Sequence, residues 1–451
     1  MVLRPTSTDR EIWRLAVPAF LALIAEPLFL LSDAAIVGHL GTAELAGVGI
    51  AAVVLQTAIG LCVFLAYGTT AAVARHLGAG DLRRALAQGV DGVWLAVVIG
   101  GITTVGGLVL TAPLVATFDV GPAIEQHATA YLRVAWLGTI PLLVMLATTG
   151  ILRGLQDTRT PLAVAVAGNA LNVVLNLLLV YGAGPVPAYG VAGSAAGSVI
   201  AQVLSAAALL AVVVRAARRE GASLAPDLPG IRTAGRAGIA LVVRTLTLRA
   251  CLLVGTYAIT LASRDPGSGI GGEVGVATHQ IAITLWSFLA FALDAIAIAA
   301  QAITGRHLGA GDVAATRAVT DRMVQWGVVS GIVTGLGLAA LSPFLGALFT
   351  EDQAVRDLLV PVLLVAALGQ PLAGVVFVLD GVLIGAGDGT YLAWAGLVVL
   401  LLYAPAALAA AYSGLGIVGV WVAMQVVFMG ARGIALVRRA RGDAWLVTGA
   451  R

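Results

Sequence analysis

The sequence has no lysine, few charged residues of either sign and few aromatic residues. Charged residues make up 11% of the 451 and aromatic residues 6%, whereas hydrophobic residues make up 60%. An ordinary soluble domain carries about 25% charged residues, so this chain lacks the polar surface that a soluble protein of its length needs. The composition argues against a soluble enzyme, a nucleic-acid-binding protein and a disordered scaffold. It predicts an all-α protein that crosses a membrane many times.

Cysteine is also scarce. Cys62 and Cys251 both lie inside apolar runs, where a thiol acts as a small apolar side chain, so we infer neither a disulfide framework nor a metal site. All 26 basic residues are arginines, and they are spread over loops rather than gathered in a basic stripe. We therefore expect no cofactor, no metal and no nucleic-acid partner.

Long apolar runs dominate what remains. A helix needs about 20 apolar residues to cross the hydrocarbon core of a bilayer. Twelve stretches of that kind are bounded by glycine, proline or charged clusters, and they are numbered below as spans 1 to 12. They cover residues 12–38, 43–74, 84–112, 124–152, 160–182, 188–215, 234–262, 274–305, 316–342, 355–383, 390–413 and 415–437.

The distribution of arginine predicts the orientation of the chain. Twenty arginines fall in the termini and in the loops that follow even-numbered spans, and only three fall in the opposite loops. Cytoplasmic loops carry an excess of basic residues, so we expect both termini to be cytoplasmic. Arginine without lysine, together with abundant alanine and glycine, is typical of a GC-rich prokaryotic genome. The predicted location is therefore a prokaryotic plasma (inner) membrane.

An internal repeat is the most specific signal in the chain. The segment Arg-His-Leu-Gly-Ala-Gly-Asp occurs at residues 75–81 and again at 306–312, an offset of 231 residues. The same offset relates several separated pairs: Gly150 and Gly381, Gly154 and Gly385, Asp157 and Asp388, Phe118 and Phe349, Ala46 and Ala277. A fixed offset at several separated places indicates a duplication.

The duplication predicts the domain organisation. We expect an N-lobe of spans 1–6 (residues 1–215), a cytoplasmic linker (216–233) and a C-lobe of spans 7–12 (234–451). Six is an even number, so both halves enter the membrane from the same side and the repeat is parallel. Transporters built from such halves bind substrate between them near the midplane and rock one half against the other.

The repeated motif has a second interpretation. His76 and Asp81, like His307 and Asp312, have the H-x-x-x-x-D spacing of a base and its orienting carboxylate in membrane acyltransferases. However, the glycines of each motif can end one helix and the aspartate can cap the next. A catalytic pair is not expected twice at equivalent turns, so we favour helix capping. We expect Asp157 and Asp388 to be caps too.

Polar residues inside the spans indicate function, because a charge near the bilayer centre costs several kcal/mol. Asp33 lies in the last third of span 1. Pro27 in the same span cannot donate a hydrogen bond to the Leu23 carbonyl, so the helix is predicted to bend there. A titratable group beside a bendable helix suits a proton-driven rearrangement. In span 5, Asn172 and Asn176 share a helix face, either as part of a site or as a contact between helices.

Other polar residues in the spans are candidates for the substrate cavity or for a second carboxylate. Two acids in the second half, Asp294 and Asp380, either take part in the site or form ion pairs with arginines such as Arg244. The full set of candidates is Glu26, Gln56, Asn169, Gln280, Asp294, Gln301 and Asp380.

Taken together, these motifs resemble those of the multidrug and toxic compound extrusion (MATE) family, and most closely its DinF-like branch. The resemblance covers essentially the whole chain. It is carried by Pro27 to Gly41 at the end of span 1, Gly168 to Asn176 in span 5, and Gly190 to Ala195 at the start of span 6. Further segments look specifically DinF-like: Arg244 to Leu246, Leu293 to Ala295, and Leu379 to Asp388.

The resemblance implies twelve helices in two six-helix lobes. It also implies the export of amphipathic, often cationic compounds in exchange for H⁺ or Na⁺. The cation site of the family maps onto Asp33, Asn172, Asn176 and Ser194 of this sequence. Relatives often carry an acid at the position of Asn176 and a glutamate at that of Gln301. With one carboxylate fewer, we expect H⁺ to be the coupling ion, with Na⁺ as the alternative.

The sequence therefore predicts a secondary active antiporter that works by alternating access, with Asp33 as the coupling acid and Pro27 as the hinge. We expect a monomer that binds a small amphipathic or cationic substrate and membrane lipid, and that is not an enzyme. Three alternatives stay open at this point: another twelve-helix carrier, a flippase for lipids or lipid-linked precursors from the same superfamily, and a membrane acyltransferase that uses His76 and Asp81.

Overall fold

The computed structural model describes residues 7–263 and 272–450. Twelve helical stretches in these residues are long and apolar enough to cross a membrane, which confirms the predicted number of spans. They are Ser7–Gly38, Thr42–Gly78, Leu82–Ala116, Pro122–Gly154, Arg159–Tyr181, Gly190–Arg219, Leu228–Ala262, Gly272–Gly309, Val313–Leu348, Gln353–Gly385, Gly389–Ala411 and Gly416–Arg441. Each overlaps its predicted span almost completely.

Within the described residues, fifteen α-helices account for the twelve spans, because three spans are interrupted. Cys62 and Val63 break the second span, a 3₁₀ turn (Trp136–Gly138) breaks the fourth, and a π-helical stretch (Met424–Met429) breaks the twelfth. The helices are α1 Ser7–Gly38, α2 Thr42–Leu61, α3 Phe64–Gly78, α4 Leu82–Ala116, α5 Pro122–Ala135, α6 Thr139–Gly154, α7 Arg159–Tyr181, α8 Gly190–Arg219, α9 Leu228–Ala262, α10 Gly272–Gly309, α11 Val313–Leu345, α12 Gln353–Gly385, α13 Gly389–Ala411, α14 Gly416–Ala423 and α15 Gly430–Arg441.

The described chain divides into two compact units, each with its own interior. The N-terminal unit runs from Val17 to Gly238 and also includes Gly449 and Ala450. The C-terminal unit runs from Ile239 to Thr448 and also includes the described residues up to Ala16. The bounds differ from the predicted lobes (1–215 and 234–451) at two places. The start of α1 groups with the C-terminal unit, and the predicted linker (216–233) groups with the N-terminal unit.

Ion pairs explain why the start of α1 belongs to the C-terminal unit. Asp9 is 5% exposed and accepts hydrogen bonds from Arg322 Nε and Nη2, both at 2.7 Å, and from the Trp326 indole, also at 2.7 Å. Glu11 pairs with Arg306 Nη2 at 2.8 Å. A buried carboxylate is stable only when its lone pairs are satisfied, and α11 supplies the donors that Asp9 needs.

The internal repeat is visible in the helix packing. A Cβ atom at Gly150 on α6 would lie 3.1 Å from the Cα of Ala66 on α3. At the equivalent place, a Cβ at Gly381 on α12 would lie 2.9 Å from the Cα of Ala297 on α10. Ala66 and Ala297 are themselves 231 residues apart. Small residues let membrane helices approach closely, and both units use the same pair of positions for that purpose.

The repeated Gly-Asp turns are caps, as predicted. The carboxylate of Asp81 accepts a hydrogen bond from the Arg84 amide at 2.9 Å, and that of Asp312 accepts one from the Ala315 amide at 2.8 Å. Gly80 and Gly311 adopt φ of 77° and 75° in the preceding turns, a conformation that favours glycine.

The other two predicted caps differ from one another. Asp157 accepts hydrogen bonds from the amides of Arg159 and Thr160, both at 3.0 Å. Asp388 stands at the start of α13, but its side chain makes no cap hydrogen bond there. Its carboxylate is bound instead by Arg439, at 2.6 and 3.2 Å. The prediction of a cap is therefore wrong for Asp388, because a guanidinium on α15 holds both carboxylate oxygens.

Candidate functional site

A buried carboxylate in the N-terminal unit receives hydrogen bonds from three other helices. Asp33 on α1 is 4% exposed. Its Oδ1 accepts hydrogen bonds from Asn176 Nδ2 at 2.7 Å and from Ser194 Oγ at 2.5 Å. Its Oδ2 accepts a longer one, 3.2 Å, from the hydroxyl of Tyr131. These donors lie on α7, α8 and α5, so a single side chain connects α1 to three neighbouring helices.

A second layer of hydrogen bonds positions these donors. Asn176 Nδ2 also lies 3.3 Å from Asn172 Oδ1, and Asn172 Nδ2 donates to Ser198 Oγ at 3.0 Å. Asn172 and Asn176 are four residues apart on α7, and Ser194 and Ser198 are four residues apart on α8. Residues at that spacing lie on one face of a helix, so α7 and α8 face one another with polar residues inside an apolar unit.

Close packing of α7 and α8 brings the donors within reach of Asp33. Gly197 lies between Ser194 and Ser198, and a Cβ atom there would lie 3.2 Å from the backbone nitrogen of Asn176. This approach leaves Asn172, Asn176 and Ser194 almost completely buried, at 1%, 0% and 0% exposed. Buried polar groups at such depth are costly unless they bond to one another, and the amide nitrogens and the Ser194 hydroxyl do so.

Asn169 binds α1 at a different level. Its Nδ2 donates to the backbone carbonyl of Ala25 at 2.7 Å, two residues before Pro27. Both Pro18 and Pro27 lie within the continuous helix α1. A proline leaves the carbonyl four residues earlier without its helical donor, so this part of α1 is held by side chains of α7 in addition to its own backbone.

Besides Ser198 in the second layer, sequence reasoning missed Tyr131, a direct partner of Asp33. It lies on α5 and is 7% exposed, within an apolar cluster that also contains Val37, Val48 and Trp136. A tyrosine in an apolar span is common, and nothing near Tyr131 in the sequence indicates that its hydroxyl belongs to a polar site. The only available signal was that a buried tyrosine hydroxyl needs a partner, and the sequence does not show which one.

Three of the remaining candidates are exposed. Glu26 on α1, Gln56 on α2 and Gln280 on α10 all lie at the surface of their helices. Among the polar contacts described for the Asp33 carboxylate, none comes from Glu26 or Gln56. Their assignment to a substrate cavity stays a prediction.

The other three candidates belong to the C-terminal unit. Asp294 is half-buried on α10, and Gln301, on the same helix, is 2% exposed. Asp380 on α12 is 7% exposed and forms an ion pair with Arg244 of α9, in which Arg244 Nε lies 3.1 Å from Asp380 Oδ1. The sequence left open whether Asp380 takes part in a site or forms an ion pair with an arginine, and the structure shows the ion pair.

The composition of the Asp33 site limits the ions it can bind. In the described residues, no three side chains of histidine, cysteine, aspartate or glutamate come close enough together to hold a metal ion. The Asp33 site has one carboxylate, and both of its oxygens accept hydrogen bonds. Such a carboxylate can exchange a proton. It offers a cation only one full negative charge, together with neutral amide and hydroxyl oxygens.

Comparison with known proteins identifies the class of protein that has this fold. Solved structures of membrane transporters superpose on nearly the whole chain. A MOP superfamily transporter from Pyrococcus furiosus matches with a TM-score of 0.85 over 98% of this chain and 97% of that one, at 22% identity. A MATE protein crystallised in a bent conformation matches with a TM-score of 0.87 over 98% and 96%, also at 22% identity. The fold is that of a MATE transporter.

The family follows from the sequence. The pattern of the MatE family matches residues 18–178 and 267–424, so the chain belongs to the MATE family of membrane transporters. Protein DETOXIFICATION 44, chloroplastic, of Arabidopsis thaliana is 32% identical, over 94% of this chain and 81% of its own. DNA damage-inducible protein F of Escherichia coli K12 is 30% identical, over 98% and 94%. The resemblance to the DinF-like branch is thereby confirmed.

Proposed function

We propose that this protein is a proton-coupled antiporter that exports amphipathic, cationic organic compounds. The observation that carries the proposal is the Asp33 carboxylate, which accepts hydrogen bonds from Tyr131, Asn176 and Ser194. In this arrangement every partner donates to Asp33. An ionised carboxylate accepts only, whereas a protonated one must also donate. Protonation removes the negative charge that strengthens all three contacts, so it weakens the hold of α5, α7 and α8 on α1.

Loss of these contacts would release α1. The ionised form of Asp33 favours the arrangement in which α1 is held against α5, α7 and α8. Once protonated, Asp33 loses its negative charge and one acceptor position, and α1 is then free to bend near Pro27, where the backbone ladder is already incomplete. Bending would shrink the cavity of the N-terminal unit and release the substrate outward. A change of this kind is a population shift between two states that the proton binds unequally.

The nature of the site favours H⁺ over Na⁺ as the coupling ion. A second carboxylate beside Asp33 would strengthen the binding of Na⁺ through its charge, but Asn176 occupies that place and donates to Asp33 at 2.7 Å. We treat the coupling ion as a transported substrate, and we expect no cofactor.

The proposal includes a location and a topology. We infer that the protein spans a prokaryotic plasma membrane as a monomer, with both termini cytoplasmic, on the strength of the arginine distribution. That count includes Arg4, Arg264 and Arg451, which lie outside the described residues. Protease accessibility of a tag at either terminus, in right-side-out and inside-out vesicles, tests the topology. Cleavage of either tag in right-side-out vesicles would contradict it.

Efflux from proteoliposomes tests the function. Purified protein is reconstituted, and release of a fluorescent lipophilic cation is followed under an imposed pH gradient and, separately, under a Na⁺ gradient. We expect release with the pH gradient, and loss of that release in Asp33→Asn. The matched control is Asp357→Asn, which neutralises an exposed carboxylate at the start of α12 and is expected to transport as the wild type.

The same assay separates the alternatives. Release driven only by Na⁺ would contradict proton coupling. Release with neither gradient, together with movement of a labelled lipid, would favour the flippase. The acyltransferase alternative predicts that His76→Ala abolishes activity. We expect that variant to transport normally, since Asp81 serves as a cap and family members are transporters.

A further inference from the structure

The first helix of each repeat contributes residues to both units. The boundary between the units falls after Ala16 in α1 and after Gly238 in α9. The start of α1, from Ser7, therefore belongs to the C-terminal unit, and the start of α9, from Leu228, belongs to the N-terminal unit. Specific polar contacts hold both of these helix starts.

The start of α1 is held by α11 through residues at matching spacing. Asp9 and Trp13 are four residues apart on α1, and Arg322 and Trp326 are four residues apart on α11, so each pair lies on one helix face. Arg322 Nε and Nη2 donate to the two oxygens of Asp9 at 2.7 Å. The rings of Trp13 and Trp326 meet edge to face, with centroids 5.0 Å apart. Arg322 Nη1 donates to Gln325 Oε1 at 3.1 Å, which fixes the guanidinium further. Two parallel bonds to one carboxylate set its direction as well as its distance.

The equivalent position in the N-terminal unit holds the start of α9. Asp91 on α4 lies 231 residues before Arg322, the offset of the internal repeat. Its Oδ1 accepts a hydrogen bond at 3.1 Å from the backbone nitrogen of Asp227, the residue before α9. Trp94, one turn later on α4, donates its indole N–H to the Leu224 carbonyl at 3.0 Å. Each unit thus uses the same position, with opposite charge, to hold the start of the first helix of the other repeat.

In α1, contacts of this kind lie on both sides of the predicted hinge. Asp9 is held near the start of the helix, and the Ala25 carbonyl accepts a hydrogen bond from Asn169 at 2.7 Å. Beyond Pro27, the Asp33 carboxylate accepts its three hydrogen bonds. Protonation of Asp33 weakens the last of these contacts and leaves the charge and the donors at the start of the helix unchanged. A helix held at its start responds by bending, whereas a helix with a free start can also shift as a whole.

We propose that Arg322 is a positioning residue for the proton-driven movement of α1. By holding Asp9, it makes α1 bend at Pro27, and not shift as a whole, when the contacts of Asp33 weaken. This inference rests on the proposed function and adds to it the group that holds the helix while it bends. A proton shifts the protein only between states that it binds unequally. A shifted, unbent α1 would also accommodate protonated Asp33, but it would leave the cavity unchanged, and Arg322 disfavours that state.

The distance between two spin labels on α1 tests the proposal in the full-length protein. Leu21→Cys and Ala35→Cys place labels at exposed positions on either side of Pro27. Fourteen residues of straight helix separate them by about 21 Å. Buried Cys62 and Cys251 are replaced by alanine in this parent protein. Pulsed electron paramagnetic resonance measures the distance at neutral and at acidic pH. We expect acid to shorten it in the parent, because α1 bends.

Three variants in the labelled parent show whether Arg322 is responsible. Arg322→Gln should abolish the shortening, because Asp9 loses the charged fork that holds it. Arg322→Lys keeps a positive charge for Asp9 and should retain the shortening, which separates positioning from a general loss of stability. The matched control is Arg317→Gln, also on α11, whose partner Asp443 is exposed. We expect this control to shorten as the parent does.

A second substitution keeps the proposal testable if Arg322→Gln does not fold. Asp9→Leu combined with Arg322→Met removes both charges together and leaves no unpaired buried ion. It should also lose the shortening. The proposal is overturned if either variant shortens as the parent does, or if Asp33→Asn still responds to acid. A parent whose distance does not change with pH would overturn it too. Efflux driven by a pH gradient, measured separately in proteoliposomes, then shows whether the proposed function stands without it.

Discussion

The side-chain N–H of Asn176 donates a hydrogen bond to the Asp33 carboxylate, with an N–O distance of 2.7 Å. The Oδ1 atom of Asn176 is buried and accepts no hydrogen bond from any described residue. The pair is thus arranged for a carboxylate that only accepts. A half-turn of the Asn176 amide would present Oδ1 to Asp33 instead, and Oδ1 could then accept a hydrogen bond from the protonated acid. In our account, the contact between Asn176 and Asp33 therefore differs between the two protonation states, whereas a carboxylate at that position could not donate to the ionised form.

The first prediction concerns ion selectivity. Asn176→Asp places a second carboxylate beside Asp33, and two adjacent negative charges attract a monovalent cation more strongly than one. We expect an imposed Na⁺ gradient to drive efflux in Asn176→Asp and not in the wild type. The control is Asn176→Ala, which removes the same amide from Asp33 without adding a charge and should not respond to Na⁺. If a Na⁺ gradient does not drive efflux in Asn176→Asp, the charge at this position does not select the coupling ion.

The second prediction concerns Tyr131. Tyr131→Phe removes one hydrogen bond to the Asp33 carboxylate and leaves the ring in place. A hydrogen bond of this kind contributes about 1 kcal/mol, so the ionised form of Asp33 should favour the held arrangement of α1 about fivefold less, and we expect the rate of efflux to depend less steeply on the pH gradient. Tyr181→Phe provides the comparison, because its hydroxyl binds the Ile36 carbonyl at 2.5 Å and not the carboxylate. Equal rates in the two variants would mean that the contact with Asp33 has no special role.

The third prediction concerns the hinge. Pro27→Ala restores an amide donor for the Leu23 carbonyl, completes the backbone ladder of α1 and should stiffen it. We expect slower efflux with normal folding and an unchanged hydrogen-bonding environment of Asp33. Pro18→Ala makes the same chemical change nine residues earlier in α1. If Pro18→Ala slows efflux as much as Pro27→Ala does, bending is not localised at Pro27.

The fourth prediction tests the duplicated helix contact. Gly150→Ala and Gly381→Ala would each force a methyl group against the backbone of a neighbouring helix, and overpacking of this kind costs about 1–3 kcal/mol. Both should lower Tm in a thermal-unfolding measurement. Gly101→Ala and Gly337→Ala are matched controls, because a Cβ at either position meets nothing within 4 Å. If only one of these two variants has a lower Tm than the wild type, the duplicated positions no longer pack alike.

Much of the fold could be predicted from the sequence, because the length of a membrane-spanning helix is fixed by the thickness of the bilayer. The pairing of Asp33 with Asn176 was accessible through the family resemblance and the shared face of Asn172 and Asn176. Contacts between helices that are far apart in the sequence could not be predicted. Nothing in the sequence around Asp388 indicates that Arg439, 51 residues later, would bind it in place of the helix cap.

The central claim is that Asp33 carries the exchanged proton, and proton movement in the transporting vesicle tests it most directly. A pH-sensitive dye on the side that receives protons is read while substrate is exported, in wild type, Asp33→Asn and Asp357→Asn. Our account predicts substrate-dependent proton movement in the wild type and in Asp357→Asn, and none in Asp33→Asn. Substrate-dependent proton movement that persists undiminished in Asp33→Asn would contradict it.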